Sequence, residues 1–183
     1  MEYLPTGRAL IDPFKALEAA GIREEMRVAD FGTGTVGHFL FPATRLVGPK
    51  GRVYGVDVLQ SVLQANQGRA RLSGIDNVDF VWGDFEREKG SRLPDSSMDL
   101  VVMVNVLHAV KKAPALQEAK RVLHTGGILL VIEWKPAGAV TGPAPDKRLS
   151  KEETTALATQ AGFMVQKEFE AGPKHYGLVF KKA

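Results

Sequence analysis

Three aspartates and a run of glycines carry the chemistry most visible in this sequence. Val28-Ala29-Asp30-Phe31-Gly32-Thr33-Gly34-Thr35-Val36-Gly37 reads as an apolar strand entering a turn with the spacing G-x-G-x-x-G. Glycines there permit a tight turn, close approach of backbone to a ligand, and close helix–strand packing. A helix expected from about Thr35 to Val47, kinked at Pro42, would offer its free N–H groups to a polar or anionic ligand. Asp30 stands two places before the first glycine and is out of character for a buried strand. It either caps the turn or faces a ligand carrying positive charge. Asp57 ends the next predicted strand, at the interval where a carboxylate can accept both hydroxyls of a ribose. It can equally cap the following helix, and the two roles are compatible. Asp84, in Gly83-Asp84-Phe85, is a third acid at a strand end.

Such acids need a scaffold that brings strand ends to one edge. Strands are read at Met26–Phe31, Gly51–Asp57, Val78–Trp82, Asp99–Val104 and Ile128–Ile132. Helices are read at Asp12–Gly21, Val58–Leu72 and Lys112–Leu123, the last stopped by Gly126-Gly127. Ser150-Lys151-Glu152-Glu153 is a capping box opening a final helix that ends at Gly162. Phe163–Phe169 and His175–Lys182 then form a hairpin around Ala171-Gly172-Pro173-Lys174, which adds an antiparallel edge. Alternating strands and helices predict an α/β fold: a parallel sheet with right-handed crossovers and helices on both faces. The three acids would then line the edge where ligands of open α/β sheets bind.

Further candidates fall at the same edge. His38 follows the glycine turn, and is either a satisfied surface or core histidine or a ligand. Asn105-Val106-Leu107-His108 follows the fourth strand. Glu133-Trp134-Lys135 follows the fifth, and is either a pocket floor or a surface strand end. A ligand with an adenosine-like part and a cationic part fits these groups best.

Composition excludes several classes. The chain has 183 residues, read as one domain spanning residues 1–183, with a net charge of only +3. That balance describes a solvated surface rather than a nucleic-acid face. There is no cysteine, which removes disulfides, thiolate metal sites and a thiol nucleophile and fits a reducing cytosol. No metal site is expected. No apolar run is long enough to span a membrane. Met1-Glu2-Tyr3-Leu4-Pro5 lacks the pattern of a signal peptide, so a cytoplasmic location is expected. Residues 1–12 form an arm with Tyr3, Arg8 and Asp12, either a lid over a ligand or a frayed terminus. Pro136 to Asp146 is the longest irregular stretch, the kind of loop that often serves function.

Taken together, these motifs make the chain similar to class I S-adenosylmethionine-dependent methyltransferases, over about Pro13 to Lys182. The resemblance implies a Rossmann-like αβα sandwich with seven strands in the order 3-2-1-4-5-7-6, strand seven antiparallel. It implies S-adenosylmethionine as cofactor, leaving S-adenosylhomocysteine. The implied cofactor residues are Asp30, Gly32, Thr33, Gly34, Gly37 and His38 at the first motif, and Asp57 and Val58 at the second. Gly83, Asp84 and Phe85 follow near the adenine, and Asn105, Val106 and His108 beside the methionine part. Arg121-Val122-Leu123-His124-Thr125-Gly126-Gly127 looks like small-molecule methyltransferases related to those of quinone biosynthesis. The family's third glycine often stands two residues after Gly34, where this chain has Val36, with Gly37 one later. Asn105-Val106-Leu107-His108 departs from the N-P-P-Y of amino-methylating nucleic-acid enzymes. The absence of cysteine argues against cytosine C5 and thiol-mediated arsenic methylation.

The implied reaction is in-line displacement at a sulfonium methyl. His108 is the first candidate general base and Glu133 the second. Trp134, Lys135 and Tyr176 are candidates for acceptor contact. A small-molecule acceptor is expected, with a protein lysine or an RNA as alternatives. The rival functions are a non-catalytic scaffold that retains the fold and a nicotinamide-dependent oxidoreductase. The latter leaves Asp30 and Asp84 unexplained.

Overall fold

The computed structural model describes residues 10–136 and 142–183. Seven strands, β1 (Arg27–Phe31), β2 (Arg52–Asp57), β3 (Val78–Trp82), β4 (Met98–Val104), β5 (Leu123–Trp134), β6 (Phe163–Gly172) and β7 (His175–Lys182), form one sheet in the order β3-β2-β1-β4-β5-β7-β6. The pairs β1–β2, β1–β4, β2–β3 and β4–β5 are parallel. β7 runs antiparallel to both β5 and β6. The expected order and the reversed seventh strand are therefore both present.

Alternation along the central strands divides the core into two layers. Ala29 and Phe31 of β1, Val101 and Met103 of β4, and Leu129 and Val131 of β5 pack under α4 (Lys112–Val122) and α5 (Lys151–Gln160). Val28, Leu100, Val102, Leu130 and Ile132 pack on the other face, against α1 (Pro13–Ala19), α2 (Leu40–Val47) and α3 (Gln60–Leu72). Strands covered on both sides read as continuous apolar runs, as β4 does. Asp12 caps α1, and Ser150 with Glu153 forms the complete capping box of α5.

Several boundaries differ from the sequence reading. The helix expected from Thr35 starts only at Leu40. Gly32, Gly34 and Gly37 all adopt positive φ, so the chain cannot take up a right-handed helix until it has passed them. Pro42 consequently lies in the first turn, where its missing N–H breaks no ladder, and kinks nothing. Gly126-Gly127 does not stop a helix: α4 ends at Val122 and β5 begins at once. The register shift between Met98 and Leu100 absorbs the extra residues. Glu133 and Trp134 are thus inside β5 and buried, not beyond its end. α3 starts at Gln60 rather than Val58. The hairpin turn shrinks to Pro173-Lys174 because β6 extends to Gly172. Tyr3 and Arg8 of the arm, and residues 137–141 of the long loop, lie outside the described residues. Among the described residues no helix is long and apolar enough to cross a membrane.

Candidate active site

Because β1 to β4 are parallel, their C-terminal ends bring Asp30, Asp57, Asp84 and Asn105 to one edge. The glycine turn sits over the junction of β1 and β4. Gly32 has φ +81°, and a Cβ there would stand 2.7 Å from Cγ2 of Val106. A larger residue would be strained and would push the two strand ends apart. Thr33 turns inward and donates to the Val56 carbonyl at 3.4 Å, so its hydroxyl ties the turn to β2.

Asp57 organises the next element. One carboxylate oxygen accepts from Leu59 N at 3.0 Å, and the other faces Gly34 N at 3.4 Å. It therefore braces the entry to α3 and the glycine turn together. Val58 beside it is half exposed. Asp84 accepts from Glu86 N at 3.0 Å and pairs with Arg87 at 2.9 Å. Gly83 donates to the Asp57 carbonyl at 3.2 Å, joining these two strand ends. Phe85 faces the core and stacks on Phe31, with ring centres 4.9 Å apart.

Asp30 is almost wholly buried, with no salt-bridge partner among the described residues. Burial first, and the nearby Asp57 second, push its carboxyl up to about 7. Asn105 adopts φ +56°, and its buried Oδ1 has no hydrogen-bond partner among the described residues. A buried acceptor without a donor is costly, and such groups mark a place for a ligand.

The two candidate bases are in contact. His108 Nδ1 lies 2.9 Å from Glu133 Oε2, while Glu133 Oε1 accepts from Leu107 N at 2.6 Å. Glu133 is 1% exposed and His108 15%. With the carboxylate accepting, Nδ1 carries the hydrogen and Nε2 keeps its lone pair. His108 borders a groove of about 620 Å³ shared with Lys112, Pro143, Arg148, Leu149 and Glu153.

Other expected residues are held elsewhere. His38 lies ahead of α2, and its Nε2 meets the Ile11 carbonyl at 3.1 Å. Lys135 pairs with Glu170 on the hairpin. Tyr176 is buried, and its hydroxyl sits 2.7 Å from Thr154 Oγ1 and 3.0 Å from the Leu149 carbonyl, which anchors α5 rather than lining the groove. Trp134 packs against His175 at 4.2 Å between ring centres, on the sheet face opposite Glu133. It does not floor the groove beside His108, although Arg148 reaches from that groove to its ring.

Two sets of supporting residues were not read from the sequence. Glu118, buried in α4, accepts from Ser91 N and Lys89 N at 3.0 Å each and is paired with Arg121 at 2.7 Å. It pins the loop that carries Asp84. The signal available was a Glu and an Arg three apart on one helix. Asn66 of α3 is fully buried and donates to the Gly34 carbonyl at 2.8 Å. An amide in an otherwise apolar helical stripe was its signal.

Known proteins with this geometry are consistent in kind. The sequence profile of a family described as a methyltransferase domain matches residues 22–177. The ubiquinone/menaquinone biosynthesis C-methyltransferase UbiE of Pseudomonas fluorescens (strain Pf0-1) is 37% identical over 137 residues, covering 72% of this chain and 51% of that protein. The protein of the same name from Hahella chejuensis is 35% identical over 133 residues, covering 71% and 52%. The chain spans about half the length of these curated relatives. A SAM-dependent methyltransferase from Aquifex aeolicus superposes with TM-score 0.90 at 29% identity, covering 98% of this chain and 94% of that one. The YcgJ protein of Bacillus subtilis superposes at 0.72 with 18% identity, covering 93% and 97%, a likeness of fold alone.

Proposed function

The chain belongs to the class I S-adenosylmethionine-dependent methyltransferase family, and from that membership we propose that it methylates a small hydroxylated aromatic acceptor held in the groove beside His108. The observation that carries this reading is the His108–Glu133 pair, 2.9 Å apart at the edge of that groove.

The residues at the strand ends fit the cofactor. Among the described residues, Asp30 is buried without a counter-ion and Asn105 Oδ1 is buried without a donor. Both would hold the ammonium end. Asp57 would accept from the ribose hydroxyls, and Val58 and Asp84 would hold the adenine. Bound there, S-adenosylmethionine supplies a methyl group on a positively charged sulfonium.

The chain's main task is then to hold acceptor and methyl group in line, which is worth up to roughly 7–11 kcal/mol of barrier when geometry is ideal. His108 Nε2 takes the hydroxyl proton of the acceptor as its oxygen, or the ring carbon conjugated to it, attacks; in the ring-carbon case the methylated carbon then gives up its own proton and the oxygen regains one, which restores the aromatic ring. Glu133 keeps the imidazole in the required tautomer and stabilises the imidazolium that forms. The relatives named for C-methylation in ubiquinone and menaquinone biosynthesis support a ring carbon as the attacking atom.

Label transfer from methyl-tritiated S-adenosylmethionine to a panel of phenols and hydroquinones tests this, with bulk protein and RNA as parallel acceptors. Labelling of a phenolic compound that His108→Ala abolishes is the expected result. Transfer only to protein or RNA, or transfer to a phenol that His108→Ala leaves unchanged, rejects it.

A further inference from the structure

Two side chains of α3 reach back to the glycine turn. Asn66 donates Nδ2–H to the Gly34 carbonyl at 2.8 Å. One turn further along, the Arg69 guanidinium donates to the Val36 carbonyl and lies 5.7 Å from the centre of the Phe41 ring. Phe41 in turn presses on Gly37. A Cβ at Gly37 would stand 2.6 Å from the Phe41 ring and 2.9 Å from Asn66 Oδ1. The third glycine of the turn is therefore placed where α2 and α3 close on it from both sides.

A trans peptide unit is planar, so its C=O and its N–H point in opposite directions. Drawing the Gly34 carbonyl towards α3 turns the Thr35 N–H away from α3. That N–H meets no acceptor among the described residues. Gly34, at φ +65°, has no side chain to fix this peptide, and within the turn only a long 3.4 Å bond from Gly37 N–H reaches its carbonyl.

We propose that Asn66 and Arg69 are positioning residues for the cofactor: from α3, Asn66 holds the Gly34 carbonyl so that the Thr35 N–H faces the ligand, and Arg69 holds the Val36 carbonyl and with it the path of the turn. The proposal rests on the cofactor reading above. Neither residue needs to touch the ligand. Asn66 is wholly buried and its Oδ1 has no partner among the described residues, so an apolar residue of similar volume removes that orphaned oxygen as it removes the bond to Gly34, whose carbonyl keeps Gly37 N–H, and the two effects offset in the ligand-free protein. Affinity and stability therefore separate at this position.

The test is calorimetric titration with S-adenosylhomocysteine of wild type, Asn66→Leu, Asn66→Asp, Arg69→Met and Arg69→Lys, with the thermal midpoint of each ligand-free protein. Asn66→Asp keeps the shape and, ionised, has no donor. Asn66→Leu and Asn66→Asp are expected to bind about tenfold more weakly, the factor for losing one net hydrogen bond. The midpoint of Asn66→Leu stays near that of wild type. Arg69→Met loses less, its bond being exposed, and Arg69→Lys recovers most of that loss. In turnover, KM for S-adenosylmethionine rises while kcat is retained. Wild-type binding with unchanged affinity in both Asn66 variants overturns the positioning role alone. Affinity that falls only in step with the thermal midpoint also overturns it. A wild-type protein that binds no S-adenosylhomocysteine overturns the cofactor reading, and this role with it.

Discussion

Nδ1 of His108 lies 2.9 Å from Oε2 of Glu133, across the ends of β4 and β5. The pair joins a residue 15% exposed to one 1% exposed, so the carboxylate acts only through the imidazole. His108→Ala is expected to lower kcat by roughly 10²–10⁴, the range for a lost general base, while S-adenosylhomocysteine affinity is unchanged. Glu133→Gln should lower kcat as well, because an amide can present its N–H to Nδ1 and reverse the tautomer. Steady-state kinetics with the acceptor, alongside calorimetry, separate the two effects. Equal losses in binding and turnover would mean a structural role instead.

Asp30 gives the site a proton-linked cost. Its carboxyl is raised from 3.8 to about 7 by burial and by Asp57. The folded, ligand-free protein holds a proton that the unfolded chain has lost between those values. Stability is therefore highest below 3.8 and declines as pH climbs to about 7, above which the full penalty remains. Asp30→Asn should raise the ligand-free thermal midpoint above about pH 7, with the gain vanishing towards about pH 4. Ligand affinity should move oppositely. The cationic cofactor needs the ionised carboxylate, so wild-type binding weakens below about pH 7 and Asp30→Asn flattens that trend. Midpoints and titrations across this range check both signs.

Gly32 meets two separate demands, a φ of +81° and a Cβ position 2.7 Å from Val106 Cγ2. Gly32→Ala should destabilise by more than the roughly 1–2 kcal/mol of left-handed backbone strain. Val106→Ala should return part of that loss by removing the clash, and leave the strain. Denaturant unfolding of the double-mutant cycle measures the coupling. Complete additivity would show that the contact carries no energy.

His175 is fully buried against Trp134, and neither ring nitrogen has a partner among the described residues. Burial, then Lys135 and Lys174, lowers its pKa from 6.5 to about 4. Its contribution is complete above 6.5 and is lost as pH falls towards about 4, because the unfolded chain takes up the proton first. His175→Phe should make acid unfolding over that window less steep. An unchanged pH dependence would remove His175 as its source.

The strand ends were legible because their signals are local. Asp30, Asp57 and Asp84 each follow an apolar run, and β–α alternation alone puts such ends at one edge. The start of α2 was misread because helical periodicity does not register three positive-φ glycines in series. The surroundings of Trp134 and Tyr176 were not legible for a related reason. Alternation decides which face of β5 and β7 each side chain joins, and the length of β5 was hidden by Gly126-Gly127. The His108–Glu133 contact depends on β4–β5 register, which joins residues far apart in sequence. Asn66 gives no local sign of its role, since its partner Gly34 lies across the fold.

Titration with S-adenosylhomocysteine, with NADH and NADPH in parallel, tests the central claim most directly. Micromolar binding of S-adenosylhomocysteine that Asp57→Ala abolishes, with no nicotinamide binding, is the predicted result. Clear binding of a nicotinamide cofactor with none of S-adenosylhomocysteine, or binding that Asp57→Ala leaves intact, would contradict it.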